Sequence, residues 1–277
     1  MRELRLIGVG LILLLGSGLP LLAQDNPTDR AAVPFSDPGK PGFLKVGVHR
    51  GSITITGYSG PEVIVEARAR TREVKKTREN DKARGMKLIQ IASTGLTVTE
   101  ENNEMRIGVA SLQQWVDLTI QVPVDISLKV SAFNGGDVEI TGVNGAMEVN
   151  NHNGGIRMAD ISGSVVAQSF NGEVKVSLNR ITPDSPMSFV TWNGDVDVTL
   201  PPDTRANLKL KSEQGDIFSD FEFQLISPPK KAEAGARDEE GRYKISFDKT
   251  INGAINGGGP EFSFRNFNGD IFIRKGK

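Results

Sequence analysis

The chain repeats an Asn-Gly pair at nearly constant intervals through its second half. The pairs begin at Asn134, Asn153, Asn171 and Asn193, and the variant Gln214-Gly215 follows them. Successive intervals are 19, 18, 22 and 21 residues. A fixed period of about 20 residues is typical of a solenoid or another repeat architecture. This repetition constrains the fold more than any other feature of the sequence.

Short segments of alternating polarity follow these pairs. Val138 and Ile140 alternate with acidic residues, and Val196 and Val198 alternate with Asp195 and Asp197. Alternation with a period of two residues is typical of a strand with one buried and one wet face. Each repeat therefore predicts two short strands and two corners, which gives an all-β, two-sheeted β-solenoid with coils of about 20 residues.

Aromatic or other large residues precede the Asn at every second corner. Coils stacked at the strand spacing of about 4.8 Å bring such rings into one row and the Asn side chains into a second row of amide hydrogen bonds. We expect the row of rings to be largely buried. The predicted ladder residues are Phe133, Asn134, Asn153, Phe170, Asn171, Trp192, Asn193, Gln214, Phe267 and Asn268.

An antiparallel meander is the alternative architecture, because Asn-Gly is also the strongest signal of a two-residue hairpin. The alternation of two corner types favours the solenoid, since every turn of a simple meander is equivalent. Asn252-Gly253 and Asn268-Gly269 are expected to continue the series after a charged insertion at residues 227–242. We expect this insertion to be a mobile loop.

The first 23 residues have the layout of a secretory signal. Two arginines precede an apolar run, and small residues and a proline lead to Ala23. Cleavage there predicts an exported protein, periplasmic or extracellular, with no transmembrane anchor. The chain has no Cys and a net charge of −1, which excludes disulfides and thiolate ligands and gives no overall field for nucleic acid.

Positive charge is concentrated in residues 67–87 of the sequence. A solvated loop or short helix is the simpler interpretation of this segment. The alternative is a contact for anionic envelope polymers or lipid headgroups, made by Arg72, Lys75, Lys76 and Arg78.

Outward acidic residues of the strands provide the one argument for an enzyme. Paired carboxylates can bind Ca²⁺ or act as acid and base in glycoside cleavage. Acidic residues on the wet face of a strand also keep the surface soluble, and this is the favoured explanation. The only two histidines, His49 and His152, are far apart in sequence and have no metal-ligand spacing. We therefore expect no catalysis, no metal and no cofactor.

The segment "VDLTIQVPVDISLKVSAFNGGDVEITGVNGAMEV" and the repeats after it resemble the putative-adhesin family of bacterial β-strand-repeat proteins. The opening "HRGSITITGYSGPEVIVEAR" resembles the N-terminal hairpin of that family. The resemblance implies the repeat fold over residues 43–277. It implies no catalytic residues, and the adhesin label of the family is itself provisional.

These observations predict four parts of the chain: a signal peptide (1–23), a linker (24–42), an N-terminal β region acting as a cap (43–130) and the solenoid repeats (131–277). The predicted function is a non-enzymatic, adhesin-like binding or structural module of the bacterial envelope, with an envelope glycan or protein as its partner. Two alternatives remain open at this point. The module reports envelope stress to a membrane protein, or it is a glycan-active enzyme that uses the acidic face.

Overall fold

The computed structural model describes residues 27–70, 93–227 and 250–277. These residues form strands and no helix. The strands are β1 (Thr28–Pro34), β2 (Gly42–Arg50), β3 (Ile53–Tyr58), β4 (Glu62–Ala69), β5 (Leu96–Glu101), β6 (Glu104–Val109), β7 (Val116–Pro123), β8 (Ile126–Asn134), β9 (Val138–Thr141), β10 (Asn144–Asn153), β11 (Ile156–Asn171), β12 (Val174–Ile181), β13 (Met187–Asn193), β14 (Val196–Leu200), β15 (Ala206–Ser212), β16 (Ile217–Ser219), β17 (Gln224–Ser227), β18 (Ile251–Ile255), β19 (Glu261–Asn268) and β20 (Ile271–Lys275).

The strands form two faces of a solenoid, which we name sheet I and sheet II. Sheet I has the order β5, β6, β2, β8, β10, β11, β13, β19, β15, β18 and β17. Sheet II has the order β1, β4, β7, β3, β9, β11, β12, β14, β20 and β16. The central pairs of both sheets are parallel, so the two-sheeted β-solenoid is correct and the meander is excluded.

The long strand β11 joins the two faces. Its first residues pair with β9 in sheet II and its last residues pair with β10 and β13 in sheet I. The strand bends between the two parts, where the register shifts and Asp160 adopts a φ of 53°. The predicted corner at residues 161–164 is therefore a bend within a continuous strand.

The core lies between the two faces and is built from the inward positions of each strand. Val138, Ile140, Val196 and Val198 are all fully buried, as their alternation with acidic residues predicts. The largest buried side chains are Phe189, Phe262 and Phe264, and the rings of Phe189 and Phe264 stack at 5.1 Å. Burial of apolar surface is the main stabilising contribution in a chain without disulfides.

Spatial order and chain order differ at both ends of the solenoid. The coil formed by β2 and β3 lies between the β6–β7 coil and the β8–β9 coil. The coil formed by β19 and β20 lies between the β13–β14 coil and the β15–β16 coil. The expectation that coils stack in sequence order is therefore wrong at these two places, because a repeat pattern does not specify which neighbour each repeat selects.

The predicted domain limits can be compared with these strands. Strand β1 lies within the expected linker, and the limit between residues 130 and 131 falls inside β8. Residues 43–58 form a full coil of the solenoid, while the antiparallel strands β1, β4 and β5 close this end of it. The signal segment and nearly all of the insertion at 227–242 lie outside the described residues.

The expected corner at Asn252-Gly253 is wrong. Both residues lie inside β18, which pairs antiparallel with β15 and β17. The Asn-Gly pair is followed here by Ala254 and Ile255, both buried in the strand, so the pair is part of an edge strand and forms no turn.

Candidate binding face

The Asn-Gly corners lie at one edge of sheet I, where each coil turns into sheet II. Gly154 and Gly172 both have a φ of 153°, and Gly194 has a φ of 136°, in the region that favours glycine. A Cβ atom on Gly154 would lie 2.1 Å from the carbonyl oxygen of Gly136 in the next coil. The glycines therefore let successive coils approach each other closely at this edge.

An aromatic ladder runs along the outer face of sheet I beside these corners. The rings stack in the order His49, Phe133, His152, Phe170, Trp192 and Phe267, with centroid separations of 5.2, 4.8, 5.0, 5.8 and 4.6 Å. Neighbouring rings are inclined by no more than 17°. The strand spacing brings Phe133, Phe170, Trp192 and Phe267 into one row, and His49 extends that row by one coil.

The ladder lies on the outside of the molecule. Phe133 is 47% exposed, Phe170 is 43% exposed and Trp192 is 45% exposed. The expectation of a largely buried row is wrong, because Trp192 lies one residue after the buried Thr191 and therefore points to the opposite face of the strand. Ring faces cover one another along the row, and ring edges remain in contact with solvent.

A second row, the amide ladder, lies next to the rings. The Nδ2 groups of Asn153, Asn171, Asn193 and Asn268 each donate to the Oδ1 of the preceding member, which is Asn134 for the first bond. The four distances are between 2.7 and 3.0 Å.

Gln214 lies at the end of these rows. It is adjacent to the β19–β20 coil and is separated from Asn193 by that coil. Its backbone N–H donates to the carbonyl oxygen of Phe267 at 3.0 Å. The expected position of Gln214 directly after Asn193 is therefore wrong.

A third row braces the corners from inside and was missed by the sequence analysis. Asn151 donates to the carbonyl oxygens of Gly136 and Gly155, while Ser169 and Thr191 donate to those of Gly154 and Gly172. All three side chains are buried. The signal for this row is a small polar residue two positions before the Asn of each pair. Ala132 occupies this position at the first pair, which hides the pattern.

The acidic residues after the corners have a structural role. Oδ1 of Asp137 accepts the backbone N–H of Gly155 at 2.8 Å, and Oδ1 of Asp195 accepts that of Asp270 at 2.8 Å. Oδ1 of Asp270 in turn accepts the backbone N–H of Asp216 at 2.9 Å. Each carboxylate therefore ties its own coil to the next one.

Asp117 makes the equivalent bond at the N-terminal end. It accepts the N–H and hydroxyl of Ser52 and a two-point contact from Arg70 at 2.6 and 2.7 Å. Burial alone raises the pKa of Asp117, but the hydrogen bonds from Arg70 and Ser52 outweigh it and hold the pKa below its usual value. The same contact raises the pKa of Arg70.

A groove of about 620 Å³ runs along the N-terminal half of the aromatic ladder. One wall is formed by His49, Phe133, His152 and Phe170. The other side carries Gly47, Ser131, Asn150 and Gln168, which lie side by side in the register of sheet I. The groove thus combines apolar ring edges with one small or polar group from each coil.

The cationic candidates Arg72, Lys75, Lys76 and Arg78 lie outside the described residues. Within the described part of the chain, no group of three or more His, Asp or Glu side chains could hold a metal ion. No helix in the same part is long and apolar enough to cross a membrane.

Comparison with known families identifies the central part of the chain. Residues 125–248 match the family described as Toastrack DUF4097. These residues form a Toastrack domain. The match confirms the resemblance to a β-strand-repeat family of unknown function. The Toastrack domain includes the rungs from Phe133 to Trp192, while His49 and Phe267 extend the same ladder beyond it.

Solved structures with a similar fold include two bacterial proteins. A putative cell adhesion protein from Clostridium sporogenes is 12% identical with a TM-score of 0.42, covering 91% of this chain and 100% of that one. A putative adhesin from Bacteroides fragilis is 10% identical with a TM-score of 0.36, covering 91% of this chain and 98% of that one. Among curated proteins, none matches the sequence that contains this Toastrack domain.

Proposed function

We propose that this chain is an exported, non-enzymatic binding module of the bacterial envelope, adhesin-like in character, that holds an extended partner against sheet I. The partner is an envelope glycan or protein that lies along the axis of the solenoid. The aromatic ladder and the groove beside it form the contact face.

The exposed aromatic row is the observation that carries this proposal. Soluble proteins bury most of their large aromatic side chains, and a continuous exposed apolar stripe is typical of an interaction surface. Six rings in line span roughly 24 Å at a strand spacing of about 4.8 Å. A surface of this shape suits a long partner that makes the same modest contact at each coil.

The geometry of the rings restricts how the partner binds. Phe133, His152, Phe170 and Trp192 each have a ring on both sides, so their faces are covered by neighbours. A partner therefore contacts ring edges and the polar side chains of Ser131, Asn150 and Gln168. Flat stacking of a sugar on a ring face requires an uncovered face, which only the two end rings of the row can offer.

The non-enzymatic part of the proposal is supported by the roles of the acidic residues. Asp137, Asp195 and Asp270 accept backbone N–H groups of neighbouring coils, which uses the oxygens that an acid or base would need. His49 and His152 are separated by the ring of Phe133, so they do not act on one atom together. Export is supported by the secretory layout of residues 1–23.

A retention experiment tests the proposed face. Immobilised residues 24–277 are incubated with envelope extract, and the variant Phe133→Ser with Phe170→Ser is compared with the unchanged protein. The matched control is Phe218→Ser with Phe272→Ser, which removes a stacked pair at 5.2 Å from sheet II. We expect retention to be lost in the ladder variant and kept in the control.

The chemical class of the partner is decided by treating the extract before binding. Loss of retention after protease indicates a protein, and loss after periodate oxidation indicates a glycan. Equal retention by all three proteins, or retention of nothing by the unchanged protein, would overturn the proposal.

A further inference from the structure

The five Asn-Gly corners of the amide ladder are chemically vulnerable sites. In an unfolded chain the backbone nitrogen of the Gly attacks Cγ of the preceding Asn. A bond forms between that nitrogen and Cγ, the bond from Cγ to Nδ2 breaks, and the proton of the N–H leaves with ammonia. Water then opens the cyclic imide to aspartate or isoaspartate. Asn-Gly reacts fastest among such pairs because the glycine has no side chain to hinder the attack.

At four corners the structure holds both reacting groups. The N–H of Gly135, Gly154, Gly172 and Gly194 each donates to the backbone carbonyl of the Asn in the next coil, at 2.8 to 3.0 Å. The side-chain amides of the same corners, Asn134, Asn153, Asn171 and Asn193, belong to the amide ladder. Attack at these corners requires a local opening that breaks hydrogen bonds first.

The fifth corner, Asn268-Gly269, lacks half of this protection. The coil beyond it begins at Gln214, and here the backbone bond has the opposite direction, because Gln214 N–H donates to Phe267. In the part of the chain that the structure describes, Gly269 N–H has no acceptor and Oδ1 of Asn268 has no donor. Only Nδ2 of Asn268 is held, by Oδ1 of Asn193 at 2.8 Å.

We propose that the ladder protects the four interior corners from deamidation and that Asn268 is the corner at which the folded protein is modified with time. Water is the only co-reactant. The product carries a carboxylate where Asn268 donated a hydrogen bond, so that Oδ1 of Asn193 faces another acceptor. Isoaspartate also adds a methylene to the main chain at the turn between β19 and β20. The modification therefore loosens the last coil that completes the aromatic ladder.

Peptide-resolved mass spectrometry tests this inference. The folded protein is incubated at mildly alkaline pH, sampled over weeks and digested at acidic pH, and conversion is measured at each of the five corners. We expect Asn268 to convert about tenfold faster than the interior corners, which must break at least one further hydrogen bond. The same protein in urea is the control, and there we expect the five rates to converge.

A second variant tests the ladder contact itself. Asn193→Ala removes the acceptor that holds Nδ2 of Asn268 and leaves the backbone bond of Gly154 in place. We expect conversion at Asn268 to accelerate while conversion at Asn153 stays unchanged. Interior corners that convert as fast as Asn268 in the folded protein, or an Asn268 rate unaffected by Asn193→Ala, would overturn the inference.

Discussion

Replacing Trp192 by Ala tests whether the aromatic ladder stabilises the solenoid from its outer surface. A large aromatic side chain in a closed core costs about 3 to 5 kcal/mol when it is cut to Ala. Trp192 leaves 45% of its surface in water, so roughly half of that value applies. The two stacked contacts of its ring, at 5.8 Å to Phe170 and 4.6 Å to Phe267, are each worth about 0.5 to 1.5 kcal/mol. We expect a loss of about 2 kcal/mol.

Urea unfolding followed by circular dichroism measures this loss, with two substitutions as references. Phe189→Ala removes a fully buried ring and should cost about 3 to 5 kcal/mol. Leu112→Ala removes a side chain that is 65% exposed and should change stability by less than about 0.5 kcal/mol. A Trp192→Ala midpoint equal to that of either reference would refute the argument that stacked, half-exposed rings carry an intermediate share.

Three further substitutions probe the other rows. Asn193→Ala removes two ladder bonds and should cost about 1 to 2 kcal/mol in urea unfolding, whereas the exposed Asn179→Ala should cost almost nothing; equal costs would contradict a contribution from the ladder. Asn151→Ala leaves two corner carbonyls without their donor and should lower the unfolding free energy by about 1 to 3 kcal/mol, and an unchanged melting temperature would show that the bracing row is dispensable. Because the folded pKa of Asp117 lies below its unfolded pKa, its contribution is present above the unfolded pKa and is lost as pH falls through the folded pKa. Asp117→Asn should remove this acid-dependent loss, and parallel curves of urea midpoint against pH for both proteins would contradict the assignment.

The sequence predicts the repeat unit of this fold well because alternation and corner chemistry are local. Val196 and Val198 point inward for a reason visible within five residues, and Gly194 follows Asn193 because the corner requires its backbone conformation. The outward position of Trp192 was also available from the sequence. It lies an odd number of residues from the buried Phe189, so the two rings belong to opposite faces of one strand.

The order of the coils could not be predicted from the same information. Asn193 has equivalent corner neighbours in Gln214 and Asn268, and the period alone favours the one that is closer in sequence. The choice of Asn268 depends on packing between whole coils, including the stack of Phe189 on Phe264. His49 was missed for a related reason, since Arg50 stands where the other rungs have Asn.

The late position of the β19–β20 coil in the chain determines when the molecule can be completed. Asn193 and Asn268 are hydrogen-bonded but 75 residues apart, so a long loop closes before the two coils meet. A chain that emerges from its N-terminus leaves the edges of β13 and β14 unpaired until its final residues arrive. Unpaired parallel edges invite association with other chains. Loss of the last 17 residues therefore removes an internal layer of the stack and leaves β15 and β16 without the strands that connect them to the remaining coils.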